Sequence, residues 1–146
     1  MIMFTRIDHI GIATKNIEEA VRTLEKTGKM VLGKRELIPS NQVEAVMVAA
    51  GDAPIELIQP TSPESTVAAF IEKRGEGLHH IAYRVDDIDA ALKECEAQGF
   101  KLIDKVPRHG YAESRVAFLH PKSMFGVLTE LVERRPGHDV PPYDPA

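Results

Sequence analysis

The segments Ile7-Asp8-His9-Ile10-Gly11-Ile12 and Leu78-His79-His80-Ile81-Ala82-Tyr83 are two copies of one pattern, 71 positions apart. His9 falls on His80, Ile10 on Ile81, Ile17 on Ile88, Ala20 on Ala91 and Gly28 on Gly99. A repeat of this size decides the architecture before any single element is read. Each copy gives a short apolar strand, a polar break and an amphipathic helix stopped by glycine. Ile17, Ala20, Val21 and Leu24 share one face of a helix expected from Ile17 to about Lys26. Ile88, Ala91, Leu92 and Cys95 share the matching face of a second, from Ile88 to about Ala97. Asn16 and Asp87 stand as N-caps, with Gly28 and Gly99 as C-terminal stops.

Strand-like material follows each helix: Met30 to Ile38, Val43 to Ala50 and Pro54 to Gln59 in the first half, then Lys101 to Lys105, Ser114 to His120 and Gly126 to Glu133 in the second. The last strands also match, Pro54-Ile55-Glu56-Leu57-Ile58 against Leu128-Thr129-Glu130-Leu131-Val132. The reading is therefore α+β, with two strand–helix–three-strand (βαβββ) modules at about 6–59 and 78–133 in one domain, 1–133. The joint from Pro60 to Gly77 holds a short helix expected over Thr66 to Lys73. The proline-rich tail, 134–146, is expected to be irregular or mobile.

A chain of 146 residues suits one core. With 43% apolar and 27% charged residues it matches ordinary globular proteins, which excludes general disorder and fibrous repetition. A net charge of −4 argues against a surface built for nucleic acid. Cys95 is the only cysteine, so no internal disulfide forms. No run of apolar residues is long enough to span a membrane and no signal pattern opens the chain, which makes a cytoplasmic protein the expectation.

The repeat also carries chemistry. Each half places a histidine on its first strand and a glutamate on its last: His9 with Glu56, His80 with Glu130. A glutamate inside Ile-Glu-Leu-Ile is costly to bury as a charge unless something neutralises it. Two imidazoles and two carboxylates brought together between the halves suit one divalent ion such as Zn, Co, Ni, Mn or Fe. Strand alternation turns His79 away from His80 and makes it structural. His109 and His120 lie at loop or strand ends without repeat partners, His138 reads as solvated, and Cys95 as a small core residue.

With these segments, the chain resembles the vicinal oxygen chelate (glyoxalase) superfamily and, within it, the methylmalonyl-CoA epimerase family. The resemblance covers residues 6 to 133. Its most specific carriers are Gly77-Leu78-His79-His80-Ile81-Ala82 and Leu119-His120-Pro121-Lys122-Ser123. It implies two βαβββ modules closing around one metal (Co, Zn, Ni or Mn) held by His9, Glu56, His80 and Glu130. It implies epimerisation of an acyl-CoA by proton transfer at C2 through a metal-stabilised enolate, with Glu130 as one base. It also implies a homodimer. Lys122 and Ser123, with Arg108 and Arg115, are the substrate-binding candidates.

The second base is where the sequence departs from the family pattern. Alignment on Met47-Val48-Ala49 puts Ala45 at the family's base position and Glu44 one residue away. Glu44 serves only if the strand carries a bulge, because one step along a strand changes its face. A lyase of glyoxalase I type acting on a glutathione hemithioacetal, a metal-free binding protein of antibiotic-resistance type and an extradiol dioxygenase are the competing readings. Four intact ligands disfavour the binder, and a fourth protein ligand crowds an oxygenase.

Overall fold

The computed structural model describes residues 4–143. The first half runs β1 (Arg6–Ala13), α1 (Ile17–Glu25), β2 (Val31–Leu32), β3 (Glu36–Ile38), β4 (Val43–Ala50) and β5 (Ala53–Pro60). Helix α2 (Thr66–Arg74) joins it to β6 (Gly77–Arg84), α3 (Ile88–Ala97), β7 (Arg108–His109), β8 (Arg115–Leu119) and β9 (Thr129–Glu133). The strands form one mixed sheet in the order β2-β4-β5-β1-β6-β9-β8-β7, with β3 also on β4. Within it β1 runs parallel to β5 and β6 parallel to β9, while β1 and β6 pair antiparallel at the centre. This is the doubled module expected from the repeat.

The caps do what their residue types permit. Asn16 accepts from Glu19 N–H and Asp87 from Ala90 N–H at the starts of α1 and α3. Gly99, at φ 85°, follows α3 and lets Phe100 N–H reach Cys95 O at 2.9 Å. Gly28 lies two residues beyond the capping Lys26. Each helix seals the outer face of its own half. Ile17 and Val21 pack on Val46, Val48 and Leu57; Ile88, Leu92 and Cys95 pack on Ala117, Leu119 and Leu131. The inner face of β4 and β5 (Val43, Ala45, Met47, Ile58) meets α2 through Val67 and Ile71, and meets Tyr111 of the second half.

Two strand expectations are corrected. Met30 to Ile38 breaks into β2 and β3. Lys101 to Lys105 keeps only one bridge, Leu102 to Leu119. There the Asp104 carboxylate accepts Phe118 N–H at 2.9 Å, so a side chain takes the place of a ladder carbonyl. From Arg134 to Tyr143 the tail is irregular as expected, but it is not loose, since Arg134 and Tyr143 are buried; residues 144–146 lie outside the described residues. Among the described residues, no helix is long and apolar enough to cross a membrane.

The two halves are clasped where β3 meets the turn at 110–114. Ser40 Oγ donates to His109 O, Tyr111 OH donates to Lys34 O, and the Glu36 carboxylate accepts the buried Ala112 N–H, each at 2.8 Å. Ala112 and Glu113 both hold left-handed backbone, φ 55° and 57°, which costs an L-residue about 1–2 kcal/mol each. The clasp must hold that strain. Glu36→Ala strands a buried N–H, so stability to urea should fall by about 1–3 kcal/mol. An unchanged urea midpoint would show that water satisfies Ala112 and that the clasp does not depend on Glu36.

Candidate metal centre

The register between β1 and β6 slips twice. Ile7 faces Tyr83 and His9 faces Ala82, leaving Asp8 as the extra residue; Gly11 faces His80 and Ile12 faces Leu78, leaving His79 as the extra one. Asp8 and His79 are themselves 71 positions apart, so the bulges belong to the repeat. A bulge opposes two residues to one and breaks alternation, which lets consecutive side chains turn to the same side. His79 therefore does not turn away from His80, as alternation alone predicts. It lines the same cavity, with its Nδ1 2.8 Å from His80 Nδ1. Small residues give the histidines room. Gly11 lies across from His80, and a Cβ there would sit 2.1 Å from His80 Cε1.

Four buried side chains meet between the halves. His9 Nε2 lies 3.1 Å from His80 Nε2, 3.3 Å from Glu130 Oε1 and 3.7 Å from Glu56 Oε1. His80 Nε2 lies 3.6 Å from Glu56 Oε1. Atoms each about 2.1 Å from a common ion stand about 3–3.5 Å apart, so these separations fit a divalent metal with N and O ligands. The ligand atoms of His9, Glu56 and His80 all fall within 4.8 Å of one another, and Glu130 joins through His9.

Electrostatics agrees with the geometry. Burial alone would push His9 down, but the Glu56 charge and hydrogen bonds to Asp8 and Glu130 raise its pKa to about 10. Burial lifts the Glu56 carboxyl to about 7; the charge on His9 opposes that rise and Glu130 adds to it. His80 is held well below the usual histidine range by burial, then by His9 and His79. Burial takes His79 down to about 4. The site thus holds one cation, a proton on His9, amid buried carboxylates. A metal ion meets the same demand with more charge.

Behind His9, the fully buried Asp8 accepts His9 Nδ1–H at 2.6 Å and bonds to Arg84 and Arg134. No pattern along the chain announces this support, since Arg134 and Tyr143 belong to a stretch without periodicity. In front of the ligands opens a cavity of about 760 Å³. Its walls are mainly apolar, including Val43, Ile58, Phe70 and Phe118; Lys73 and Arg74 add positive charge, while Arg108 on the same wall is paired with Asp104 and Asn41. Ser114 Oγ is buried against this cavity without a hydrogen-bond partner among the described residues.

The other candidates separate clearly. Residues Val43 to Ala50 of β4 pair with β5 without a slip, so Ala45 shares the inner face with Val43 and Met47. Glu44 is on the other face, with Arg35 Nη1 at 3.7 Å, and the bulge it would need is absent. Of the basic candidates, Arg108 lines the cavity, whereas Arg115 is paired outside with Asp89 and Glu133. Lys122 does not line the cavity, and Ser123 Oγ accepts Lys101 N–H. Lys73 and Arg74, in the last turn of α2, line the cavity and were not among the sequence candidates, where only a short helix over Thr66 to Lys73 was expected. His109 and His120 sit at structural positions, the latter capping the turn at 121–123. His138 is not solvated as expected, because its Nδ1 is buried. Cys95 is a buried core thiol, as expected.

Residues 8–118 match the model of the Glyoxalase/Bleomycin resistance protein/Dioxygenase superfamily. The chain is 39% identical to the mitochondrial methylmalonyl-CoA epimerase of Dictyostelium discoideum, over 88% of its own length and 78% of the relative. It is 33% identical to an ethylmalonyl-CoA/methylmalonyl-CoA epimerase of Cereibacter sphaeroides, over 88% and 98% of the two chains. A variant of Streptomyces coelicolor methylmalonyl-CoA epimerase, solved in complex with 2-nitronate-propionyl-CoA, superposes with a TM-score of 0.86 at 36% identity, covering 90% of this chain and 95% of that one.

Gly11 tests the packing of the site. Gly11→Ala drives a methyl into the His80 ring, so the protein should lose about 1–3 kcal/mol and the His80 ring resonances should shift. A variant with parental melting temperature and unmoved His80 signals would mean that β1 and β6 do not approach this closely.

Proposed function

The chain belongs to the Glyoxalase/Bleomycin resistance protein/Dioxygenase superfamily and, within it, to the methylmalonyl-CoA epimerase family, and on that premise we propose that it is a metal-dependent epimerase inverting C2 of methylmalonyl-CoA. The observation that carries the reading is the convergence of His9, His80, Glu56 and Glu130 at the floor of an apolar-walled cavity. His9, His80, Glu56 and Glu130 would hold a divalent ion (Co, Zn, Ni or Mn), which would supply Lewis-acid stabilisation of the developing enolate charge.

The chain's own side chains supply the rest. Glu130, at the edge of the ligand set, takes the C2 proton. Lys73 and Arg74, on the cavity wall, attract the anionic acyl-CoA, with Arg108 held beside the cavity by Asp104. Apolar walls exclude water from the carbanion face, which strengthens every electrostatic contact within. Glu44 has no part, because its face of β4 is turned from the cavity. Return of the proton to the opposite face falls to another group or to water. The structural kinship to an epimerase solved with an acyl-CoA analogue supports this reading over a hemithioacetal lyase.

Two measurements test it. Incubated in D2O with methylmalonyl-CoA and Co, the protein should exchange the C2 proton, and chelator should stop exchange. Glu130→Gln should abolish it, while Glu44→Gln stays within about twofold of the parent, because strand alternation removes it from the site. No exchange in the loaded parent protein would overturn the assignment. A large loss in Glu44→Gln, with fold and metal intact, would overturn the β4 register.

The second measurement is the pH dependence of metal affinity. The proton on His9 is held to a pKa of about 10, so proton and ion compete below that pH. Binding must release the proton, and affinity should weaken about tenfold for each unit that pH falls from 9 towards 7. A flat profile would mean that the ion does not use His9.

A further inference from the structure

Nothing in the family match, which ends at residue 118, covers the segment that follows β9. We propose that residues 134–143 are a positioning element of the metal centre, in which Tyr143 acts through Arg134 and Asp8 to fix the His9 ring. The proposal rests on the metal reading above.

The contacts form a continuous chain. Arg134 grips the Asp8 carboxylate with both arms of its fork, Nη2 to Oδ1 at 2.6 Å and Nε to Oδ2 at 3.1 Å. Its remaining Nη1–H donates to Tyr111 O at 2.9 Å. Arg84 adds Nε–H to Asp8 Oδ2 at 2.7 Å. Asp8 Oδ1 is then left to accept His9 Nδ1–H at 2.6 Å. Because Nδ1 carries the proton towards Asp8, Nε2 is the nitrogen that points at Glu56, Glu130 and His80.

Tyr143 closes this arrangement from outside. Its ring lies 4.1 Å from the Arg134 guanidinium carbon and 5.2 Å from that of Arg84. Its hydroxyl donates to Asp8 O at 3.0 Å, and the residue is 1% exposed. One side chain therefore covers both cations that grip Asp8 and ties down the bulged residue's own carbonyl. Asp139 helps hold the segment, with Oδ1 3.6 Å from Arg84 Nη1. Without the ring, water reaches two guanidiniums whose strength depends on its exclusion. The Asp8 carboxylate is then freer to rotate, and the imidazole with it.

His80 makes the contrast. The residue at the matching bulge is His79, whose Nδ1 meets His80 Nδ1, and among the described residues no arginine pairs with it. The tail supports one of the two histidines, and the repeat by itself would not build that support.

The experiment compares full-length Tyr143→Leu, Tyr143→Phe and Arg134→Lys with the parent. Co(II) affinity is measured by titration well below each melting temperature, and the His9 ring nitrogens are followed by 15N NMR in metal-free protein. Outer partners of metal ligands are worth 10–100-fold in affinity. Tyr143→Leu and Arg134→Lys should weaken Co(II) binding about tenfold, alter the Co(II) absorption bands and broaden or move the protonated Nδ1 signal. Tyr143→Phe, which keeps the ring over both arginines, should stay within about threefold. Leu92→Ala, in the α3 core away from the site, should lower the melting temperature and leave affinity unchanged. Affinity and the His9 Nδ1 signal unchanged in both Tyr143→Leu and Arg134→Lys would overturn the proposal. Should Tyr143→Leu fail to fold, Arg134→Lys decides alone. If the parent binds no metal, the reading above fails, and the Nδ1 signal in metal-free protein still decides whether the tail fixes His9.

Discussion

Four ionisable side chains buried within a few ångströms of one another must be balanced in charge. Glu56 and Glu130 bring two carboxylates to the floor of the cavity, and His9 and His80 bring two imidazoles that in their neutral form cancel nothing. The protein answers locally by holding a proton on His9. The cost of an unbalanced buried charge is several kcal/mol, large against the whole stability of a domain this size. Much of the surrounding structure follows from that constraint. The central β1–β6 pair delivers both histidines, the parallel strands beside it deliver both glutamates, and a single charge centre spans the boundary of the halves.

The doubled fold could be read from the sequence because one spacing, 71, related residues of very different kinds at once: strand histidines, helix faces and stops. His9 and His80 were legible for that reason, and Glu56 and Glu130, which stand 74 apart, were legible from the matched last strands. What escaped the sequence was what depends on departures from periodicity. His79 was assigned to the wrong face because alternation has no way to register an extra residue, and only the paired backbone reveals the slip. The strand at Lys101 to Lys105 was lost to an aspartate that hydrogen-bonds as a backbone carbonyl would. Arg134, Tyr143 and His138 lie where proline and glycine erase every pattern, so their burial was invisible. Glu44 went the other way: simple alternation placed it outside, and the unbroken β4–β5 register agrees.

The bulges explain how strands can carry such a site. A regular strand that sent His9 inward would send Asp8 outward, and the carboxylate could not back the imidazole. One inserted residue in each copy puts a ligand and its neighbour on the same side, at the expense of one ladder position. The gain is orientation. An imidazole held by a carboxylate has one tautomer and one ring direction, whereas a free one samples several. Gly11 belongs to the same solution, since the ring it admits fills the place of its own missing side chain.

The two copies share the histidine and glutamate positions and differ in what surrounds them. Around His9 stand an aspartate, two arginines and a tyrosine from the chain's end; around His80 stand another histidine, Phe118 and helix α2. Inversion at one carbon, as proposed above, does not itself require this inequality, since both faces of a planar enolate must be served; what the inequality adds is a direction across the site. A strictly two-fold site would present the same groups to both faces of a planar enolate in an orientation fixed only by the ion. On the proposed reading, unequal walls would set which end of the substrate lies under the basic end of α2 and which meets the carboxylates. Repetition thus accounts for the charge centre, and the departures from repetition account for the unequal walls around it.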